Sequence, residues 1–164
     1  DIVLLNGPSS SGKSSISREL QRKLNANGFD SIIISLDDYL KMSVDEPIWE
    51  DDVFAIIQKM YEDISQALQL NKKVIVDHVI TSERIYEALL KAIAGYNMKR
   101  VMVKCSIDIL RKREVERANR FIGSAEASLE YLFPKNGYDL IINSEQTSPA
   151  KSAELILEKY FKGK

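Results

Sequence analysis

The sequence predicts an α/β fold in three layers, helix, sheet and helix, around a parallel sheet of five strands. Short, largely apolar runs recur along the chain: Ile2 to Asn6, Ser31 to Ser35, Lys73 to Asp77, Arg100 to Cys105 and Tyr138 to Ile142. The first is continuously apolar, as expected of a central strand covered on both faces. Between the runs lie segments with apolar residues at helical spacing. Strands that alternate with helices form βαβ units, and their right-handed crossovers put helices on both faces of the sheet. At 164 residues the chain suits one domain, 1–164, long enough to bury a real core.

Taken in order, Ile2 to Asn6 is followed by a helix from Ser14 to Asn27, with Ile16, Leu20 and Leu24 on one face and Asn27-Gly28 as its stop. The second strand, Ser31 to Ser35, delivers Leu36-Asp37-Asp38-Tyr39 at its carboxyl end. Lys41 to Pro47 is irregular. A long helix then runs from about Ile48 to Leu70, with Val53, Ile56, Ile57, Met60, Ile64 and Leu68 at helical spacing. After the third strand, Ser82 caps a helix that reaches Ala94 and stops at Gly95. Asp108 is expected to cap a strongly charged helix running to about Asn119, which Gly123 breaks. Ser124 to Leu132 forms a short helix, Pro134 to Gly137 a loop, and Pro149 to Phe161 the closing helix. No internal repeat, low-complexity tract or linker interrupts this order.

Composition excludes several classes of partner. The chain is 45% hydrophobic and 29% charged, ordinary for a soluble globular protein, and its formal net charge of -1 offers no case for nucleic acid or an anionic membrane surface. No apolar run approaches the length of a membrane span and no basic-then-apolar leader opens the sequence. A single cysteine, Cys105, rules out an internal disulfide and suits a reducing compartment, so a cytoplasmic enzyme is expected.

The chemistry is concentrated in Gly7-Pro8-Ser9-Ser10-Ser11-Gly12-Lys13-Ser14, which fits G-x-x-x-x-G-K-[ST], the phosphate loop. Gly7 and Gly12 permit backbone angles that turn successive N–H groups toward an anion. Lys13 reaches the β- and γ-phosphates as a point charge, and the Ser14 hydroxyl ligates Mg²⁺. The helix that starts here, with Ser15 in its first turn, adds its positive end. A glycine-rich turn could be only a turn, but a buried strand before it and a helix after it are the context the motif requires. A nucleoside triphosphate, ATP or possibly GTP, with Mg²⁺ is therefore expected.

Other candidates follow from ligands in such sheets lying beyond the carboxyl ends of the strands. Asp37, directly after the second strand, is placed to orient an acceptor hydroxyl and take its proton. Adjacent residues point to different sides, which leaves Asp38 for the metal's water shell or for capping. Asp77 closes Val74-Ile75-Val76 as a Walker-B acid would, and is expected to hold Mg²⁺. His78, the only histidine, is either a substrate contact or a side chain hydrogen-bonded in place. On a helix Arg113, Arg117 and Arg120 fall within about 60° of one another. Glu114 and Glu116 could answer them as a solvated face. A triphosphate is the sharper answer, with Arg113 and Arg117 on its phosphates and Arg120 on the transferring group. Tyr39 and Trp49, with Ile48 and Phe54, could line an acceptor pocket or belong to the core. Cys105 reads as inert packing.

With these residues in hand, the chain resembles the chloramphenicol 3-O-phosphotransferase-like family of P-loop kinases, within the nucleoside-monophosphate-kinase-like group. IVLLNGPSSSGKSS is similar to the family's first strand and phosphate loop, SLDDYL to the segment whose first acid is its catalytic base, and VIVDHVI to its third strand. VKCSIDILRKREVERANR resembles the start of its lid, and YDLIINSEQTSPAKSAELI its last strand and closing helix. The resemblance implies a P-loop NTPase fold, Asp37 as base, Asp77 on the metal, and a helical lid at about 108–133. It also implies an acceptor-side helical segment at about 39–71. Where the family has Gly-Asp between its last two lid arginines, this chain has Ala118-Asn119. A Gln and a His of the pattern are Ser128 and Phe133, and the acid ending the last strand is Asn143. The acceptor region from Tyr39 to Asn71 departs from the family, so chloramphenicol itself is not expected.

The expectation is an ATP/Mg²⁺-dependent phosphotransferase acting on a hydroxyl of a small molecule. Two alternatives stay open: a nucleoside kinase of the uridine-kinase type, which SLDDY also resembles, and a catalytically weak nucleotide-binding module. A regulatory GTPase would need the N-K-x-D signature, which the chain lacks.

Overall fold

The computed structural model describes residues 1–162. Five strands, β1 (Ile2–Asn6), β2 (Ser31–Ser35), β3 (Lys73–His78), β4 (Met98–Lys104) and β5 (Leu140–Asn143), form one sheet in the order β2-β3-β1-β4-β5. Every pairing is parallel, with Leu5 of β1 level with Asp77 of β3, and Ser35 of β2 level with the same acid. The helices are α1 (Lys13–Ala26), α2 (Glu50–Gln69), α3 (Glu83–Ala92), α4 (Ile107–Arg117), α5 (Ser124–Glu130) and α6 (Pro149–Tyr160).

Alternation along the strands divides the core in two. Ile2, Leu4, Val74 and Val76 face α2 and α3, packing with Ile57, Met60, Ile64, Ile85 and Leu89. Val3, Leu5, Ile75, Val101 and Val103 face α1 and α6, packing with Ile16, Leu20, Leu24, Ile156 and Leu157. The expected three layers are present, and β1 is buried along its whole length. The remaining pair, α4 and α5, enclose a small cluster of Cys105, Leu110 and Ala125. Among the described residues no helix is long and apolar enough to cross a membrane.

Helix boundaries differ from the sequence reading where a stronger local signal exists. The cap of α4 is Ser106, whose hydroxyl accepts the Ile109 N–H, so Asp108 lies inside the first turn and does not cap. The same helix ends at Arg117, because Ala118 takes a left-handed conformation with φ 54°. β5 begins at Leu140; just before it the Tyr138 hydroxyl is engaged by Asn6 and Pro134, and the Asp139 carboxylate accepts the Arg100 N–H.

Candidate active site

The loop between β1 and α1 is shaped by two glycines. A Cβ on Gly7 would sit 2.2 Å from the Val103 carbonyl oxygen, so only glycine lets the chain leave β1 this close to β4. Gly12, with φ 101°, turns the backbone into α1. Within the curl, the Ser11 N–H donates to the Pro8 carbonyl at 3.2 Å, and Ser10 holds a positive φ of 69°. Lys13 is buried and its Nζ donates to the carbonyls of Gly7 (3.0 Å) and Pro8 (2.8 Å) and to Ser11 Oγ (3.3 Å). The ammonium is thus folded against its own loop. Burial pushes its pKa down, and the nearby Asp77 and Asp37 partly oppose this.

The acids arrive from the neighbouring strand ends. Asp77 Oδ2 accepts from Ser14 Oγ at 3.0 Å and from Ser35 Oγ at 3.4 Å. Burial pushes this carboxyl up, while Lys13 and the two hydroxyls pull it back. Hydroxyl and carboxylate oxygens at this spacing suit Mg²⁺, a hard cation that draws most of its ligands from water and phosphate. Among the described residues no three His, Cys, Asp or Glu side chains gather to hold a metal by themselves. Asp37 lies in a single 3-10 turn, Leu36–Asp38, after β2. Its Oδ2 accepts from Arg120 Nη2 at 2.7 Å and lies 3.8 Å from Arg117 Nη2.

The three arginines are employed differently. Arg120 is buried, and its other contact is the Asn119 carbonyl. Arg117 reaches Ser10 Oγ at 3.4 Å, and its pKa is pushed down by burial and by the proximity of Arg120. Arg113 donates to the Ser11 carbonyl (3.1 Å), to Ser144 Oγ (3.0 Å) and to the Ser144 carbonyl (3.3 Å). It ties α4 to the phosphate loop and to the chain leaving β5. From α5, Ser128 Oγ accepts the Ser9 N–H at 2.9 Å.

One cavity of about 640 Å³ gathers Ser9, Ser10, Gly12, Lys13, Ser14, Ser15, Asp37, Asp77, Arg113, Arg117 and Arg120. Sequence reasoning missed other parts of its wall, among them Arg18, Glu116, Ser144, Thr147 and Pro149. It also missed Ser35 on Asp77, and it met Ser128 only as a replacement for the family's Gln, not as a partner of the loop. A hydroxyl residue ending the strand beside a Walker-B acid could have pointed to Ser35; nothing local points to Ser128. Four other candidates for the site do not line this cavity. Asp38 is exposed, and the Tyr39 hydroxyl donates to Asp63 Oδ2 of α2 at 2.6 Å. Trp49 is 67% exposed at the start of α2, where its N–H donates to Asp52 Oδ2 at 2.9 Å. His78 is fully buried against the Tyr61 hydroxyl, 2.8 Å from its Nε2. Asp77 and His78 are successive strand residues and face opposite sides of the sheet, so only the acid turns toward the cavity.

The family model of chloramphenicol phosphotransferase-like proteins matches residues 1–161. Among solved structures, the chain is similar to a sugar kinase from Janibacter sp. HTCC2649, at TM-score 0.72 and 16% identity over 95% of this chain and 91% of that one. It is also similar to the APS kinase of Mycobacterium tuberculosis, solved in complex with AMPPNP and APS, at TM-score 0.69 and 19% identity over 96% and 95% of the two chains. A gluconokinase from Sinorhizobium meliloti 1021 superposes at TM-score 0.64, with 22% identity over 99% of this chain and 97% of that one. At such identities the likeness carries the fold, which is that of P-loop kinases.

Proposed function

The chain belongs to the chloramphenicol phosphotransferase-like protein family, and from that premise we propose that it transfers the γ-phosphoryl group of ATP, with Mg²⁺, to a hydroxyl of a small molecule. The observation that carries this reading is the convergence, in one cavity, of a phosphate loop, a Ser14–Asp77 oxygen pair and Asp37. Its volume lies within the range usual for small-molecule and cofactor sites.

In this reading the amides from Gly7 to Ser15 and the Lys13 ammonium hold the phosphates. To do so Lys13 would give up its bonds to the Gly7 and Pro8 carbonyls. Ser14 and Asp77 would hold the metal, which would supply neutralisation of charge on the phosphates. Arg117 and Arg120 answer the charge on the transferring group. Asp37 orients the acceptor hydroxyl and takes its proton as the oxygen bonds to phosphorus, while the bond to the β-phosphate oxygen breaks and ADP leaves with that electron pair. Arg113 acts on the nucleotide through the loop it braces. The helices α4 and α5 form the lid.

The test is ADP release with magnesium and ATP against a panel of sugars, other alcohols and nucleosides. Asp37→Asn is expected to lower acceptor-dependent turnover by roughly 10²–10⁴-fold while nucleotide affinity stays within about threefold. Unchanged turnover in that variant removes Asp37 as the base. Nucleotide binding with no acceptor turned over would replace the enzyme by a binding module.

A further inference from the structure

Glu114 is the one acid of α4 that solvent does not reach, at 2% exposure, whereas Asp108 and Glu116 stand exposed. A carboxylate is costly to bury unless its oxygens are hydrogen-bonded, and here both are. Oε2 accepts the Gly123 N–H at 3.0 Å and Oε1 the Ala125 N–H at 2.9 Å. These amides open α5, which has no side-chain cap of its own. Glu114 therefore caps the next helix from a distance. Leu110 and Ala125, both at 0% exposure, lie in the same cluster between the two helices.

What lies between the two ends of this bond gives it significance. Residues 115–122 carry Arg117 and Arg120 and end α4 in a left-handed turn at Ala118. The segment is pinned on both sides, by Arg113 on the Ser11 carbonyl and by Ser128 on the Ser9 N–H. Glu114 joins those two anchors to each other, so the loop spans a fixed gap and delivers Arg120 to Asp37. We propose that Glu114 is a positioning residue for phosphoryl transfer, acting through Arg120. The assignment rests on the kinase reading above.

The test compares Glu114→Gln and Glu114→Asp, and combines Glu114→Gln with Arg120→Ala. An amide of the same shape turns an N–H₂ toward a backbone N–H and loses one of the two bonds. Glu114→Gln is expected to lower kcat by roughly 10- to 100-fold with nucleotide KM within about threefold, as misplaced charge clamps do. Glu114→Asp, which keeps the charge, should recover part of the loss. In the Arg120→Ala background, Glu114→Gln should change kcat by less than about twofold, because the group it positions is gone. Amide exchange across 117–125 should accelerate by about tenfold or more while β1 and α1 keep their protection. Unaltered kcat in a folded Glu114→Gln, losses that multiply in the double variant, or exchange that rises equally everywhere would each overturn the proposal. If the unaltered protein turned over no acceptor, the kinase reading would fall, and exchange alone would judge the brace: local acceleration keeps it and unchanged exchange ends it.

Discussion

A histidine shut away from water makes a fold sensitive to acid. His78 is fully buried, and burial, with the Lys13 charge nearby, pushes its pKa from the ordinary 6.5 to about 3. In the folded protein the ring stays neutral, whereas the unfolded chain binds a proton below pH 6.5. Stability from this source is complete above pH 6.5 and is lost as pH falls from there toward 3, at up to about 1.4 kcal/mol per pH unit. Urea unfolding at pH 7, 6 and 5 should show that slope, and His78→Phe should flatten it. A flat profile in the unaltered protein would mean the ring is hydrated. The same residue shows where reading by position fails. Beside Asp77 it looks like part of the site, yet alternation along β3 sends it under Tyr61. Arg113 teaches a related lesson: its helical position was legible, but its partner Ser11 lies 102 residues away. Glu114 was legible only as one acid of a solvated, charged face, because the amides it serves belong to another helix.

At the scale of elements, the strands were the plainest feature, because buried parallel strands are written as short apolar runs. β4 starts earlier than expected, at Met98, because the polar Lys99 enters the strand ahead of Arg100. Lys99 lies over the Tyr160 ring and Arg100 bonds the Tyr86 hydroxyl. The core face of α1 was equally plain, and it predicts a cost. Leu20 is fully buried between the sheet and α6, so Leu20→Ala should lower unfolding free energy by about 2–5 kcal/mol. A fall in the urea midpoint with unchanged slope is the expected result. A change under about 1 kcal/mol would mean that α6 collapses onto the gap.

For the molecule as a whole, the alternation of elements announced a parallel sheet, but the order β2-β3-β1-β4-β5 was not written in any one segment. That order sets β1 between β3 and β4 and so brings Ser14, Asp77 and Ser35 within hydrogen-bonding distance. The contact from Arg120 to Asp37 spans 83 residues and joins the chain after β2 to the far side of the cavity. It also occupies one oxygen of the Asp37 carboxylate. The Arg120 guanidinium, at 2.7 Å, covers Oδ2 of that carboxylate. Under the kinase reading, phosphates arriving beneath α4 would compete for that cation and leave Oδ2 free beside Oδ1. Under the kinase reading, nucleotide should therefore precede the alcohol. Titration calorimetry should show acceptor heat only once magnesium and a non-hydrolysable ATP analogue are present, and Arg120→Ala should remove that dependence. Equal acceptor binding to the bare protein would contradict it. Under that reading, one ion pair would make the alcohol wait its turn until the donor of its phosphate is seated.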